Sequence, residues 1–268
     1  GFLLGRAQQT TDEQQGGDYA KFTVLNGMDY GEWCEPGITP MQAMMNPRKS
    51  VGTAYLAYSG RLLAEVAEAL GKADDAANYR GTAANAVKAY RTAFTENGVI
   101  KSDRQCEYVR AIAFALLGEE ESKAAAETLN RMVAENDYHL NTGFLSTPFL
   151  CDVLAKYGYT DTAYKLLLQP DAPGWLYEVR CGATTMWERW DSVRPDGTRA
   201  SARRLRVTGT ETAYENQRNI HLFYGHDLPA RRERMAQPRR AVARAAIPPA
   251  VLHGAGPART RDHRPLGS

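Results

Sequence analysis

The sequence predicts an all-α fold made of antiparallel helical hairpins, and three observations carry that prediction. Apolar residues recur at spacings of three and four through residues 50–168. Isolated glycines at Gly71, Gly118 and Gly158 punctuate the pattern. The connections alternate between short and long, and short links between successive helices make antiparallel pairs.

The elements follow in order. Val51, Tyr55, Tyr58, Leu62, Val66 and Ala69 form one face of a first helix that stops at Gly71. A second face is Tyr79, Ala83, Val87, Tyr90 and Phe94. A third is Val109, Ile112, Ala113 and Leu116, closed by Gly118. Ala125, Leu129, Met132 and Val133 make a fourth. The fifth runs from Phe149 through Val153 to Tyr157 and closes at Gly158. The sixth spans 161–168, with Thr160 or Asp161 as N-cap. The links at the three glycines are two or three residues long, whereas those at 95–104, 137–147 and 169–184 run to about ten to sixteen. Hairpins side by side place all the long loops at one end, where binding chemistry concentrates. The repeat is loose and lacks a consensus, unlike short-looped solenoid units. A closed toroid fits better than an open solenoid, with three hairpins present.

Composition bounds the rest. The chain has 268 residues, 43% apolar and 24% charged, which suits a buried core and excludes wholesale disorder. No apolar run reaches the length of a membrane span, and no membrane partner is expected. The chain opens on Gly1, and Phe2-Leu3-Leu4 is too short for a signal-peptide core, which suggests a fragment or a processed chain. Cys34, Cys106, Cys151 and Cys181 are scattered, with no C-x-x-C pair, so neither a metal site nor a disulfide framework is expected. No cofactor is implied. The net charge of +2 hides a split: 1–198 holds 19 Lys and Arg against 26 Asp and Glu, a net of −7. Residues 199–268 hold 14 Arg, no Lys and 5 acidic residues, a net of +9. The chain therefore divides into a helical domain, 1–198, and an Arg/Ala/Pro-rich tail, 199–268.

The long-loop segments collect the unusual residues. They include Asp29-Tyr30-Gly31-Glu32-Trp33-Cys34-Glu35, Asp103-Arg104-Gln105, and His139 through Pro148. Trp175 and Tyr177 precede Gly182-Ala183-Thr184-Thr185-Met186-Trp187-Glu188-Arg189-Trp190-Asp191, and all four Trp fall in these loops. Flat aromatic rings beside carboxylates suit sugars, which offer C–H faces to stack and hydroxyls to bond. Such pairs also suit glycoside hydrolysis, which needs one protonated acid and one carboxylate. Trp33, Trp175 and Trp190 are candidate sugar platforms, and Asp29 and Glu32 candidate hydroxyl partners. Glu188 is the candidate catalytic carboxylate. Against this stands a structural reading, in which Glu188 pairs with Arg189 or with a helix N-terminus and the Gly-Glu-Trp turn only caps a helix. Asp103 and Gln105 are weaker candidates, and His139 reads as a loop hydrogen-bonder. Cys34 and Cys181 have no paired His, so a cysteine nucleophile is not expected.

The stretch Gly182 through Ser192 resembles the signature of bacterial α-L-rhamnosidases of glycoside hydrolase family 78. Three further stretches agree in the same order: Tyr30-Gly31-Glu32-Trp33, Thr53-Ala54-Tyr55 through Leu70-Gly71-Lys72, and Thr142 through Pro148 with Tyr157-Gly158-Tyr159. The resemblance covers about 17–198. It implies a six-hairpin (α/α) toroid and inverting hydrolysis of terminal non-reducing α-L-rhamnosyl units, with a rhamnose-containing carbohydrate as partner. It gives Glu188 the role of general base and implies no metal. The family's general acid lies in an acidic motif that this sequence does not contain, so the 268-residue chain alone is expected to be inactive. Glu32 stands where the family has Asp. The alternatives are a non-catalytic helical-repeat module that binds carbohydrate or protein, and another (α/α)6 glycosidase.

The tail shows no such likeness, and Asn219-Ile220-His221 is only the nearest in letters to the family's later Asn-His stretch. Fourteen Arg without one Lys fits a shifted reading frame of a GC-rich gene better than a selected basic tail. A disordered extension is the second reading. Nucleic-acid binding is the least supported, and no nucleic-acid partner is expected.

Overall fold

The computed structural model describes residues 1–11, 17–27, 30–45 and 49–198. These fall within one compact unit, Gly1–Gly225. Asp29 and the 199–268 tail lie outside the described residues, and with them the reading of that tail.

Short elements lead in: α1 (Phe2–Ala7), a 3-10 helix (Gly17–Phe22) and α2 (Pro40–Met45). Three hairpins follow. They pair α3 (Lys49–Ala69) with α4 (Ala73–Phe94), α5 (Gln105–Ala113) with α6 (Glu119–Glu135), and α7 (Thr147–Lys156) with α8 (Thr160–Leu167). The first two long connections differ in kind. Residues 95–104 contain a small antiparallel ladder, β1 (Thr95–Glu96) on β2 (Val99–Ile100), with Thr95 opposite Ile100. Residues 137–146 contain no helix or strand. The third long connection folds into a short helix, α9 (Trp175–Arg180), where a loop was expected. Among the described residues no helix is long and apolar enough to cross a membrane.

The first hairpin packs on small side chains. Ser50, Thr53, Ala57, Gly60, Ala64 and Ala67 recur at three and four along α3 and are buried. A Cβ placed on Gly60 would stand 3.2 Å from the Ala83 Cβ on α4. This corrects the predicted face of the helix. Val51 is buried, but Leu62 and Val66 are 41% and 54% exposed. Two helices that approach this closely leave the larger apolar stripe outside the contact.

The third helix also ends earlier than its apolar pattern suggests. Ala115 takes φ +50°, and Leu116 N–H donates to the Ala111 carbonyl at 2.9 Å, a left-handed helix stop. Phe114, Leu116 and Leu117 are buried all the same, from a five-residue link rather than from a helix face. Phe114 stacks on Tyr58 at 4.2 Å and meets Phe149 edge-on at 5.3 Å, so one ring joins α3, the α5–α6 link and α7. At α8 the N-cap is Tyr159, without a side-chain cap, and Thr160 already belongs to the helix. The link at Gly118 is capped instead by Glu121, whose carboxylate accepts the Gly118 N–H at 2.7 Å and Arg91 at 2.6 Å.

Candidate active site

The long loops meet over the N-terminus of α5. That helix was expected to point apolar residues inward, yet it buries Glu107 and Arg110, and Arg110 is fully enclosed. The Arg110 guanidinium pairs with Glu32, bonds Ser146 Oγ at 2.9 Å and pairs with Glu107 at 2.8 Å. Ser50 on α3 donates to the other Glu107 oxygen at 2.6 Å. Glu32 Oε1 accepts the backbone N–H groups of Gly143 and Ser146 at 3.1 and 3.0 Å. Its Oε2 accepts Ser146 Oγ at 3.0 Å as well as Arg110. Beside it, Glu35 takes Arg104 with both oxygens, each at 2.8 Å. Burial pushes the Glu32 carboxyl up to about 7, against the pull of Arg110 and Ser146.

This position corrects the expectation for Glu32. The carboxylate is buried, and four protein donors engage its two oxygens, so none is left for a sugar hydroxyl. What it does is clamp the 30–35 turn to the 143–146 turn. The two turns touch so closely that a side chain at Gly143 has no room: a Cβ there would lie 2.0 Å from the Trp33 carbonyl oxygen and 2.3 Å from that of Glu32. Both obstacles are backbone. Gly143→Ala is expected to cost about 1–3 kcal/mol by forcing the turns apart. Urea unfolding of the variant and the parent measures it, and an unchanged midpoint would contradict the packing.

The clamp aims the next residue. Trp33, at φ +42°, carries its indole across to the last loop, where Nε1 donates to Glu188 Oε1 at 3.3 Å. Phe144 N–H holds the Trp33 carbonyl at 3.1 Å. Glu188 is half-buried, and among the described residues its Oε2 accepts no hydrogen bond. Glu188 does not pair with Arg189, which turns to Asp191, at 3.0 Å.

The loop that holds Glu188 hangs from α9. Trp175 meets Trp190 edge-on at 5.8 Å, Tyr177 donates its hydroxyl to the Val193 carbonyl at 2.7 Å, and Glu178 accepts the Trp187 N–H at 3.2 Å. Trp190 Nε1 donates to the Thr142 carbonyl at 3.2 Å, tying this loop to the 142–147 turn. Between the two sides lies a cavity of about 170 Å³ bordered by Cys34, Pro36, Pro173, Trp190 and Asp191.

The structure thus brings together Trp33, Trp190 and Glu188, with Trp175 behind Trp190. Trp187 is buried under Tyr177 rather than open to the cavity. Of the weaker candidates, Gln105 is buried and donates to the Met132 carbonyl at 3.3 Å, while Asp103 borders a separate groove of about 500 Å³ with Arg131 and Asn141. His139 bonds the Asn136 carbonyl at 3.1 Å, a loop contact. Burial first, and then the charge of Glu188, push the Cys34 thiol up to about 12, so it stays protonated at neutral pH. Among the described residues no group of three His, Cys, Asp or Glu gathers that could hold a metal. Sequence reasoning missed Arg110, Ser146, Gly143 and Glu178.

Comparison with known proteins extends these observations. Residues 7–226 match the family described as the bacterial alpha-L-rhamnosidase 6 hairpin glycosidase domain. The matched span runs past Thr198, so the likeness does not stop where the sequence motifs do. An alpha-L-rhamnosidase of Streptomyces avermitilis is 42% identical over 169 residues, covering 63% of this chain and 16% of that protein. One from Formosa agariphila is 44% identical over 144 residues, covering 53% and 16%. The crystal structure of the Aspergillus terreus alpha-L-rhamnosidase superimposes with a TM-score of 0.62 at 30% identity, over 75% of this chain and 26% of that one. The Streptomyces avermitilis enzyme complexed with L-rhamnose gives 0.59 at 36%, over 74% and 20%. The chain spans about a sixth of the length of these two curated relatives.

Proposed function

Because the chain belongs to the bacterial alpha-L-rhamnosidase six-hairpin glycosidase family, we propose that it forms part of a catalytic domain that hydrolyses terminal α-L-rhamnosyl units with inversion, Glu188 acting as general base. The observation that carries this reading is the setting of Glu188. Its carboxylate stands half-buried among the long loops, one oxygen fixed by the Trp33 indole at 3.3 Å and its neighbour Arg189 engaged elsewhere. A base in an inverting glycosidase needs that arrangement: one oxygen holds the orientation and the other takes a proton from water as the water attacks the anomeric carbon. The leaving oxygen takes its proton from a second carboxyl on the opposite side of the sugar, about 6.5–9.5 Å away. No carboxyl in this chain is assigned that role.

Trp33 and Trp190 are proposed to flank the sugar, with Trp175 supporting Trp190 edge-on. Asp29 remains a proposed hydroxyl partner. Glu32 is not, and serves as the clamp that sets the Trp33 indole. The relative complexed with L-rhamnose supports the choice of sugar. The reading is tested by hydrolysis of an aryl α-L-rhamnoside in an NMR tube, using the protein with its complete catalytic domain. β-L-rhamnose as the first product is expected; α-L-rhamnose first would refute inversion and with it the role of Glu188 as a base.

A further inference from the structure

We propose that Glu178 is a positioning residue for Glu188, its carboxylate holding the backbone N–H of the residue before the base. The inference rests on the reading of Glu188 as the base and adds to it a group outside the reacting shell. Glu178 sits on α9 and is 3% exposed. Its Oε2 accepts the N–H of Trp187, the residue immediately before Glu188, at 3.2 Å. Its Oε1 is buried and, among the described residues, has no hydrogen-bond partner. A buried carboxyl with one bond is a costly way to fill space, since an apolar residue of the same size would pack without loss. What the carboxyl adds is a directed acceptor. Trp175 holds Trp190 and Tyr177 holds Val193 and the Trp187 ring, whereas Glu178 bonds the backbone of the residue before the base.

The contact is sensitive to pH. Burial raises the Glu178 carboxyl to about 7, against the pull of the Trp187 N–H. No charged neighbour contributes: Arg180 on the same helix reaches the Pro170 carbonyl, Arg189 is paired with Asp191, and Tyr177 and Cys181 do not shift it. A hydrogen bond to an ionised acceptor is about twice as strong as one to a neutral acceptor. The Trp187 peptide is therefore held more tightly above about pH 7 than below it. Stability runs the other way. The folded value lies above the unfolded one, so the group favours folding at low pH and loses that contribution as pH rises towards and through 7. Tight aim and stability are exchanged over the same range.

The test is NMR of the whole 268-residue chain labelled with 15N-tryptophan, which reports the Trp187 amide and the Trp33 indole that touches Glu188. In the parent the Trp187 amide should titrate with a midpoint near 7. In Glu178→Gln, which keeps an acceptor without a charge, that titration should vanish and the Trp33 indole should keep its position. In Glu178→Leu the Trp33 indole should move in the direction it takes in Glu188→Gln. A Trp187 amide that stays flat between about pH 5 and 9 would overturn the proposal, and so would a Trp33 indole unmoved in Glu178→Leu. Should the leucine variant not fold, the parent and glutamine titrations decide the question. None of these signals depends on turnover, so a failure of the base assignment shows up separately, in hydrolysis.

Discussion

Replacing Arg110 with methionine is expected to lower the stability of the domain by about 3–5 kcal/mol, the cost of leaving buried charge without its partner. The size follows from what Arg110 touches. It is fully enclosed, and its one positive charge answers both Glu32 and Glu107, which are themselves buried. Methionine fills most of the volume, so the loss is electrostatic rather than a cavity. The carboxyls would respond by taking up protons, and the deficit should shrink as pH falls. Thermal unfolding at neutral pH and at about pH 5 measures both effects. A loss below about 1 kcal/mol, at the level of an exposed pair, would contradict the burial described. A triple variant that also converts Glu32 and Glu107 to apolar residues should recover stability while releasing the 143–146 turn, because isosteric replacement of a whole buried charge group is often neutral.

The second large effect concerns the reaction. Glu188→Gln is expected to reduce rhamnoside hydrolysis by about 10²–10⁴-fold, the usual contribution of a positioned general base. Glutamine keeps an oxygen for the Trp33 indole, so the loop should hold its shape and L-rhamnose should still bind. The comparison that matters is kcat against affinity, measured by turnover and by calorimetry with L-rhamnose on the protein with its complete catalytic domain. Loss of both together would point to a collapsed site. Unchanged turnover would leave the alternative, a carbohydrate-binding module without chemistry, as the better reading.

Much of the fold is legible from local pattern. The first hairpin has a clear apolar period and a glycine at its link, and α3 and α4 lie where the periodicity puts them. The failures are instructive. Leu62 and Val66 look like core because they are large and apolar, but the buried face of α3 is made of small residues, and Gly60 lets Ala83 of α4 approach. Size and depth are different properties when a helix packs on its smallest side chains. Leu116 looks like one more helical step, and it is buried, but from beyond a left-handed stop at Ala115.

The proposed site is legible in the sequence only at the residues proposed to meet the sugar. The aromatic-carboxylate loops identify Trp33, Glu188 and Trp190, because those residue types are unusual in loops. The support behind them carries no such signal. Arg110 follows Glu107 by three residues, which on a sequence reads as an ordinary exposed pair on a helix. Ser146 and Gly143 are common turn residues whose importance comes from the backbone they touch. Glu178 lies in what looks like a loop, and only the short helix α9 turns it towards Trp187. The misreading of Glu32 has the same origin: a carboxylate beside a tryptophan is equally apt for a sugar or for an arginine, and the choice depends on a residue 78 positions away.

That distance has a kinetic meaning. Each hairpin closes over a short stretch of chain, so it forms early and at little loop entropy. Joining Glu32 to Ser146 closes 114 residues, and joining Trp33 to Glu188 closes 155. These are the most expensive closures described and have to wait until the hairpins have shortened the path between their ends. The charges of the clamp are therefore expected to stay hydrated while the helices pair, and to be dried only when their partners are already in reach. The order of assembly expected from these separations, hairpins before clamp and clamp before the Trp33–Glu188 contact, would spare the chain an intermediate with an unpaired arginine inside its core.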